Sequence, residues 1–293
     1  MEQAKFHART FYVEGINMGD ERFIWNDKLM IINAGTKSGN VAEVHILIDR
    51  PIPINEEDTK AYLKQHFQNT SEGKHFLSIF LACYKLSVEK MHYPRINNAM
   101  SGGNPIKNIE DFRTYRRKNN PFVNTKIEKE PVEDNIRDIE NTIPLFEKVI
   151  KHIQFNQKRS NPLLVALPLY HRIDGLDIEN VIDYCTILES LVCQNESELK
   201  FKFALRTSLL VDIADMERKE VFEFLKSVYN IRSKLVHGSD VSLNMFSTEN
   251  ANILLNLENI VAIALGEYIE LIDSGNSKEQ IIEKLDHMAL ETP

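Results

Sequence analysis

Cysteine is scarce in this chain of 293 residues, and what there is does not pair: Cys83, Cys185 and Cys193 make an odd count with no CxxC and no zinc-ligand spacing. That argues against a disulfide-stapled scaffold and a cysteine-ligated zinc site and fits a reducing, cytoplasmic setting; no metal and no cofactor is expected in this chain. Cys185 and Cys193 are expected to pack as small apolar side chains. Long apolar runs are missing too. Ala251 to Leu257 and Ile260 to Leu265 are the longest, and Asn252, Asn256, Glu258 and Asn259 interrupt them, so no membrane span is predicted. No apolar segment follows Met-Glu-Gln-Ala-Lys-Phe-His, so neither is a secretory signal. There is also no excess of positive charge. A net charge of −8 argues against a general nucleic-acid binder, which is usually basic across a whole face, but it leaves room for a local basic cleft.

What is present is enough apolar material, 43% of residues, to bury a core, and the length suggests two domains. The pattern changes once along the chain. Residues 1 to about 50 read as strands: Thr10 to Glu14, Phe23 to Trp25, Leu29 to Ile32, and the alternating Ala42, Val44, Ile46 and Ile48, with Gly35 and Gly39 flanking a hairpin turn. Helical periodicity follows from Glu56 to Phe67 and again through Phe76, Ile79, Phe80 and Cys83. Residues 93 to 106, with Pro94, Gly102, Gly103 and Pro105, read as a loop, and Lys118 to Asp134 as a linker. From Asn135 onward the periodicity is helical. Pro144 is expected to bend or break the first helix, Asp177 and Ser197 to cap the next two, Gly275 to close the fifth, and Ser277-x-x-Gln280 to open the last. The expected class is α+β: a small N-terminal sheet with helices over residues 1 to 130, followed by an all-α antiparallel bundle over 135 to 293.

Chemistry concentrates between Tyr229 and Gly238. Val221, Phe222, Leu225, Val228, Tyr229, Leu235 and Val236 recur at three- and four-residue steps and mark a core-facing stripe, and Arg232 falls in the same register. A guanidinium there requires a carboxylate partner or an anionic ligand. His237 lies five residues on, about 140° around a regular helix, so the two do not converge within one unbroken chain. Gly238 suits a left-handed residue ending the helix, which frees His237, and a two-fold axis would gather two copies of each side chain.

Three pieces together resemble the HEPN superfamily, and more closely its Apea-like branch. Tyr229-x2-Arg232-Ser233-x3-His237-Gly238 matches that branch's signature, Thr186-Ile187-Leu188-Glu189-Ser190-Leu191 its leading helix, and Lys202-Phe203-Ala204-Leu205-Arg206-Thr207 its second-helix arginine segment. Ser208 stands where members often have Ala. The likeness covers roughly residues 145 to 293. It implies a bundle that dimerises through the motif helix and a metal-independent endoribonuclease, with Arg232 and His237 catalytic and Ser233, Tyr229, Glu189 and Arg206 supporting. It also implies a role in prokaryotic phage defence or a toxin system. An ion pair between Glu189 and Arg206 is expected to fix Arg232 or the helix packing.

Other readings stay open. Arg232 is also explained as a structural arginine paired with Glu189 and His237 as a helix cap, which leaves a non-catalytic dimerisation and RNA-binding module. A nucleotide-binding or nucleotidyl-transfer accessory protein is a further alternative. For RNA, Arg113, Arg116, Arg117 and Lys118 with Phe112 and Tyr115 form a basic, aromatic-bearing cluster, and Lys158 and Arg159 a smaller one. A solvated connector segment is the preferred reading of the first cluster, and the second is of the same kind. His45, His66, His75 and His92 suggest no metal geometry.

Overall fold

A computed structural model describes residues 6–26, 29–33, 41–48, 59–88, 93–100, 105–106, 132–153, 161–173, 175–214, 216–238 and 248–291. It divides into two compact units, residues 1–144 and 145–293. The clusters Arg113 to Lys118 and Lys158–Arg159 lie outside the described residues, as do the hairpin turn at Gly35 to Gly39 and the proposed linker as far as Pro131.

The first unit is built on β1 (Phe6–Glu14), β2 (Arg22–Trp25), β3 (Leu29–Asn33) and β4 (Val41–Ile48), with α1 (Thr59–Ser87), β5 (Arg95–Met100) and β6 (Pro105–Ile106). The strands form one antiparallel sheet in the order β2-β3-β4-β1-β5, with β6 also on β1. The alternation that predicts β4 works as expected: Ala42, Val44 and Ile46 are buried on the face where Phe11 and Val13 of β1 and Leu29 and Ile31 of β3 are also buried. Asn26 takes a positive φ of 45° in the turn between β2 and β3, a conformation its short side chain tolerates.

The stretch from 93 to 106 is not all loop. β5 and β6 occupy the edge beside β1, with a register shift between Tyr12 and Val13. Arg-Ile-Asn-Asn-Ala-Met has no apolar alternation to announce a strand, and backbone pairing to β1 supplies what the side chains do not. Pro105 sits where proline is tolerated, on an edge strand. Gly15 just after β1, at φ +89°, is the position where glycine is required, since a Cβ there would stand 3.3 Å from the Pro94 backbone. α1 packs against β1, β4 and β5, and every residue from Leu77 to Lys85 is buried.

The second unit contains the end of α2 (Val132–His152), then α3 (Leu163–Arg172), α4 (Asn180–Val192), α5 (Leu199–Leu210), α6 (Arg218–Val236), α7 (Thr248–Asp273) and α8 (Lys278–Glu291). Pro144 does not break α2. Both Pro144 and Glu140, whose carbonyl it deprives of a donor, face solvent, so water can take the freed group. α4 is the central helix, packed against α3, α5, α6, α7 and α8, with Val181, Tyr184, Cys185, Ile187, Leu188, Leu191 and Val192 buried.

Helix ends follow local chemistry only in part. The Ser277–Gln280 box forms in both directions, at 2.8 and 3.3 Å, and Gly275 closes α7 at φ +91°. Asp177 accepts the Glu179 N–H at 3.0 Å just before α4. Ser197 does not cap α5, because Glu198 takes the cap position in a left-handed conformation. α6 opens instead on a Glu217–Glu220 capping box, a pairing that glutamate at the first position obscures in the sequence. Within α7, the stretch Asn250–Asp273 is long and apolar enough to cross a membrane by length and composition. Here Leu257, Ile260, Val261, Ala264, Leu265 and Tyr268 bury one side of it in the bundle. Leu188 is wholly buried on α4, so Leu188→Ala should lower the unfolding free energy by about 2–5 kcal/mol, read from denaturant unfolding followed by helical circular dichroism.

Candidate functional site

The motif helix α6 buries Val221, Leu225 and Val228 against the bundle, while Phe222, Tyr229 and Leu235 are half-buried. Val236, expected on the core stripe, is 50% exposed because the helix is leaving the bundle at its last turn. The helix ends there. His237 takes the C-cap position, its N–H bonded to the Ser233 carbonyl at 3.1 Å, and Gly238 follows in the left-handed region at φ +65°. The His237 side chain is exposed.

Arg232 reaches from α6 to α4, where its Nη2 donates to Glu189 Oε2 at 3.4 Å. The contact is long for a charge-assisted bond, and it is a single one: Arg232 Nε and Glu189 Oε1 are both buried without a hydrogen-bond partner. The Tyr229 ring lies under the guanidinium, 5.4 Å from its carbon. The arginine keeps 26% of its side-chain surface exposed, against 18% for Glu189. Burial, and then the neighbouring Glu189 carboxylate, push the Tyr229 hydroxyl up to about 12, so at neutral pH it is a donor and not a base. Burial first, and then Glu189, likewise push the Cys185 thiol to about 12, which keeps it an inert apolar neighbour.

Arg206 does not pair with Glu189. Its Nε and Nη2 grip Asp286 at 2.6 and 2.8 Å, and Nη1 and Nη2 bind Glu196, with Nη1 also reaching the Val192 carbonyl. Asp286 lies 80 residues further on, on α8, and only tertiary packing delivers it. The arginine is 3% exposed and five-fold bonded, which makes it a structural clamp between α5, the α4–α5 connection and α8. Ser208 packs at 1% exposure with its hydroxyl returned to the Leu205 carbonyl, so the departure from Ala is absorbed locally.

Beside the clamp, a cleft of about 460 Å³ is lined by Glu196, Lys202, Arg206, Glu283, Asp286 and His287. Its Lys202 and Arg206 are already neutralised by Glu196 and Asp286. Among the described residues no group of three His, Cys, Asp or Glu is placed to hold a metal ion.

Sequence reading overlooked the neighbouring flank of α5 and α6. Phe201 is 51% exposed and packs edge-on against Phe222 at 5.7 Å, with the Lys226 ammonium 4.9 Å from the Phe222 ring. Lys200 donates to Asn230 at 2.6 Å. The available signal was the local charge: α5 and α6 carry eight Lys and Arg against two Glu, inside a chain of net charge −8.

No family model, no curated protein and no solved structure matches the chain. Its class is therefore stated from the structure itself, an α+β protein whose second unit is a helical bundle.

The clamp generates a pH prediction. Partial burial raises the Glu196 carboxyl, but bonds from Arg206, Lys202 and the Gln194 N–H outweigh it and hold the group down at about 2. A carboxyl depressed on folding stabilises the native state at pH values above its unfolded pKa, and that contribution fades as pH falls toward the folded value. Glu196→Gln should therefore flatten the loss of stability between about pH 5 and pH 2. Arg206→Leu, which strands two carboxylates, should cost about 3 kcal/mol at neutral pH. Both are read from denaturant unfolding across pH.

Proposed function

We propose that the bundle is a metal-independent RNA endonuclease of the HEPN type, working as a dimer through α6, with Arg232 and His237 as its catalytic residues. The carrying observation is the state of Arg232. It is oriented by the Tyr229 ring and by one long contact to Glu189, yet 26% of its side-chain surface stays open, while its unpartnered Nε is itself buried. An arginine fixed but not saturated is suited to take two oxygens of a phosphate in its planar fork.

The chemistry follows from the substrate. The RNA 2′-oxygen attacks the adjacent phosphorus and the bond from phosphorus to the 5′-oxygen breaks, leaving a 2′,3′-cyclic phosphate and a 5′-hydroxyl. One proton must leave the 2′-hydroxyl and one must reach the departing 5′-oxygen. His237, exposed at the helix end, is the side chain available for proton transfer. Arg232 stabilises the charge that builds on the phosphate oxygens, and Ser233 and the protonated Tyr229 are donors on the same turn. Five residues and about 140° separate Arg232 from His237, so a two-fold axis near the end of α6 is what brings one complete set together. A cytoplasmic role in prokaryotic phage defence or a toxin system belongs to the same proposal and rests on the resemblance alone.

A second reading, a non-catalytic RNA-binding and dimerisation module, draws on the same Glu189 contact, since a paired arginine is structurally accounted for. Incubating cellular RNA with the purified chain in excess chelator separates the two. The expected result is cleavage with 2′,3′-cyclic phosphate ends, lost in Arg232→Ala and His237→Ala by at least about a hundredfold while circular dichroism and particle size stay unchanged. Intact RNA from the wild type, and from residues 135 to 293 assayed alone, would favour the module.

A further inference from the structure

Phe201 is an exposed aromatic ring on a bundle surface where Leu176, Val236, Leu255 and Leu290 are exposed as well. Phe203, two residues on, is wholly buried and packs on Tyr229 at 5.1 Å, while Phe201 leaves half its surface in solvent. Nothing in α5 requires an aromatic at that position, since a lysine or glutamate would satisfy the helix equally and expose no apolar surface. The ring is nevertheless held in place edge-on by Phe222. From Phe222 the flank continues at steps of four, three and four through Lys226, Tyr229 and Ser233, and it leads to His237 at the end of the helix. Cations border it. The partner of Lys200 among the described residues is the neutral Asn230, so its charge is not cancelled; Lys226, 35% exposed, is ion-paired with Glu223 at 3.1 Å, an exposed contact that a phosphate would have to displace.

We propose that this flank of α5 and α6 is a track for single-stranded RNA, with Phe201 as a base-stacking platform and Lys200 and Lys226 as phosphate contacts. The inference deepens the nuclease reading and rests on it for the identity of the nucleic acid. Stacking on an exposed ring needs a base that is already out of a duplex, which selects single strands over double-stranded RNA. A protein partner suits the surface less well, because the buried core of a protein interface is depleted in lysine and this aromatic pair is flanked by two. Of the basic residues on α5 and α6, Lys202, Arg206, Lys226 and Arg232 are ion-paired, and Lys200, Arg218, Lys219 and Lys234, which have no ion pair among the described residues, contribute the positive charge of this flank.

The test measures binding apart from cleavage. The full chain carrying His237→Ala is titrated against labelled single-stranded and duplex RNA of about 12 nucleotides by fluorescence anisotropy, with particle size followed in parallel. Expected are preference for the single strand, a loss of about tenfold or more in Phe201→Ala, and retention of affinity in Phe201→Trp. Lys200→Ala with Lys226→Ala should reduce the slope of log affinity against log salt by roughly 1.4, as two lost phosphate contacts require. Unchanged affinity in Phe201→Ala overturns the proposal, and if that variant also changes particle size the flank joins copies of the chain instead. Absence of binding to either RNA overturns it as well. If the chain with His237 intact leaves RNA uncut while binding still depends on Phe201, the track holds and the nuclease reading falls.

Discussion

Glu189 is a carboxylate carried on the most enclosed helix of the bundle, and its need for a cation shapes what surrounds it. α4 is packed by five other helices and the Glu189 side chain is only 18% exposed, so leaving its charge without a partner is unfavourable. Arg232 meets that need from α6 and settles on the Tyr229 ring. That contact goes with the rotation of α6 that its buried apolar stripe sets. Val221, Leu225 and Val228 turn inward, and the flank carrying Phe222, Lys226 and Ser233 turns toward α5 and the surface. The same rotation leaves His237 exposed just past the helix end.

Two arginines of the bundle meet different ends. Arg206 is saturated by two carboxylates and a carbonyl and is nearly sealed from water, which is what a clamp requires. Arg232 has one long contact, an unpartnered Nε and open surface. Residue type and helix register treat the two alike. Their partners distinguish them, and the difference is what the proposed role of Arg232 rests on.

How much of this was legible in the sequence depended on the range of the interaction. Helical periodicity located α4, α6 and α7, and Gly238, Gly275 and the Ser277–Gln280 box marked their ends, because those signals act within one turn. β5 was hidden because its pairing with β1 is made by backbone across more than eighty residues, on a strand without alternation. α3, which carries Pro168 inside it, escaped notice too. The expected Glu189–Arg206 pair failed because Arg206 is taken by Glu196, ten residues before it, and by Asp286 from the last helix, which only the fold supplies. Phe201 and Phe203 are the sharpest case. They are the same residue two positions apart, and only packing makes one core and the other surface.

The most direct test of a catalytic Arg232 is Arg232→Lys, assayed for RNA cleavage in chelator beside its unfolding free energy. Lysine keeps a cation for Glu189 but loses the planar fork that grips two phosphate oxygens. The expected result is a cleavage rate lower by about a hundredfold or more with stability nearly unchanged. A lysine variant that cuts RNA at the wild-type rate would contradict the assignment and leave Arg232 as no more than the counter-ion of Glu189.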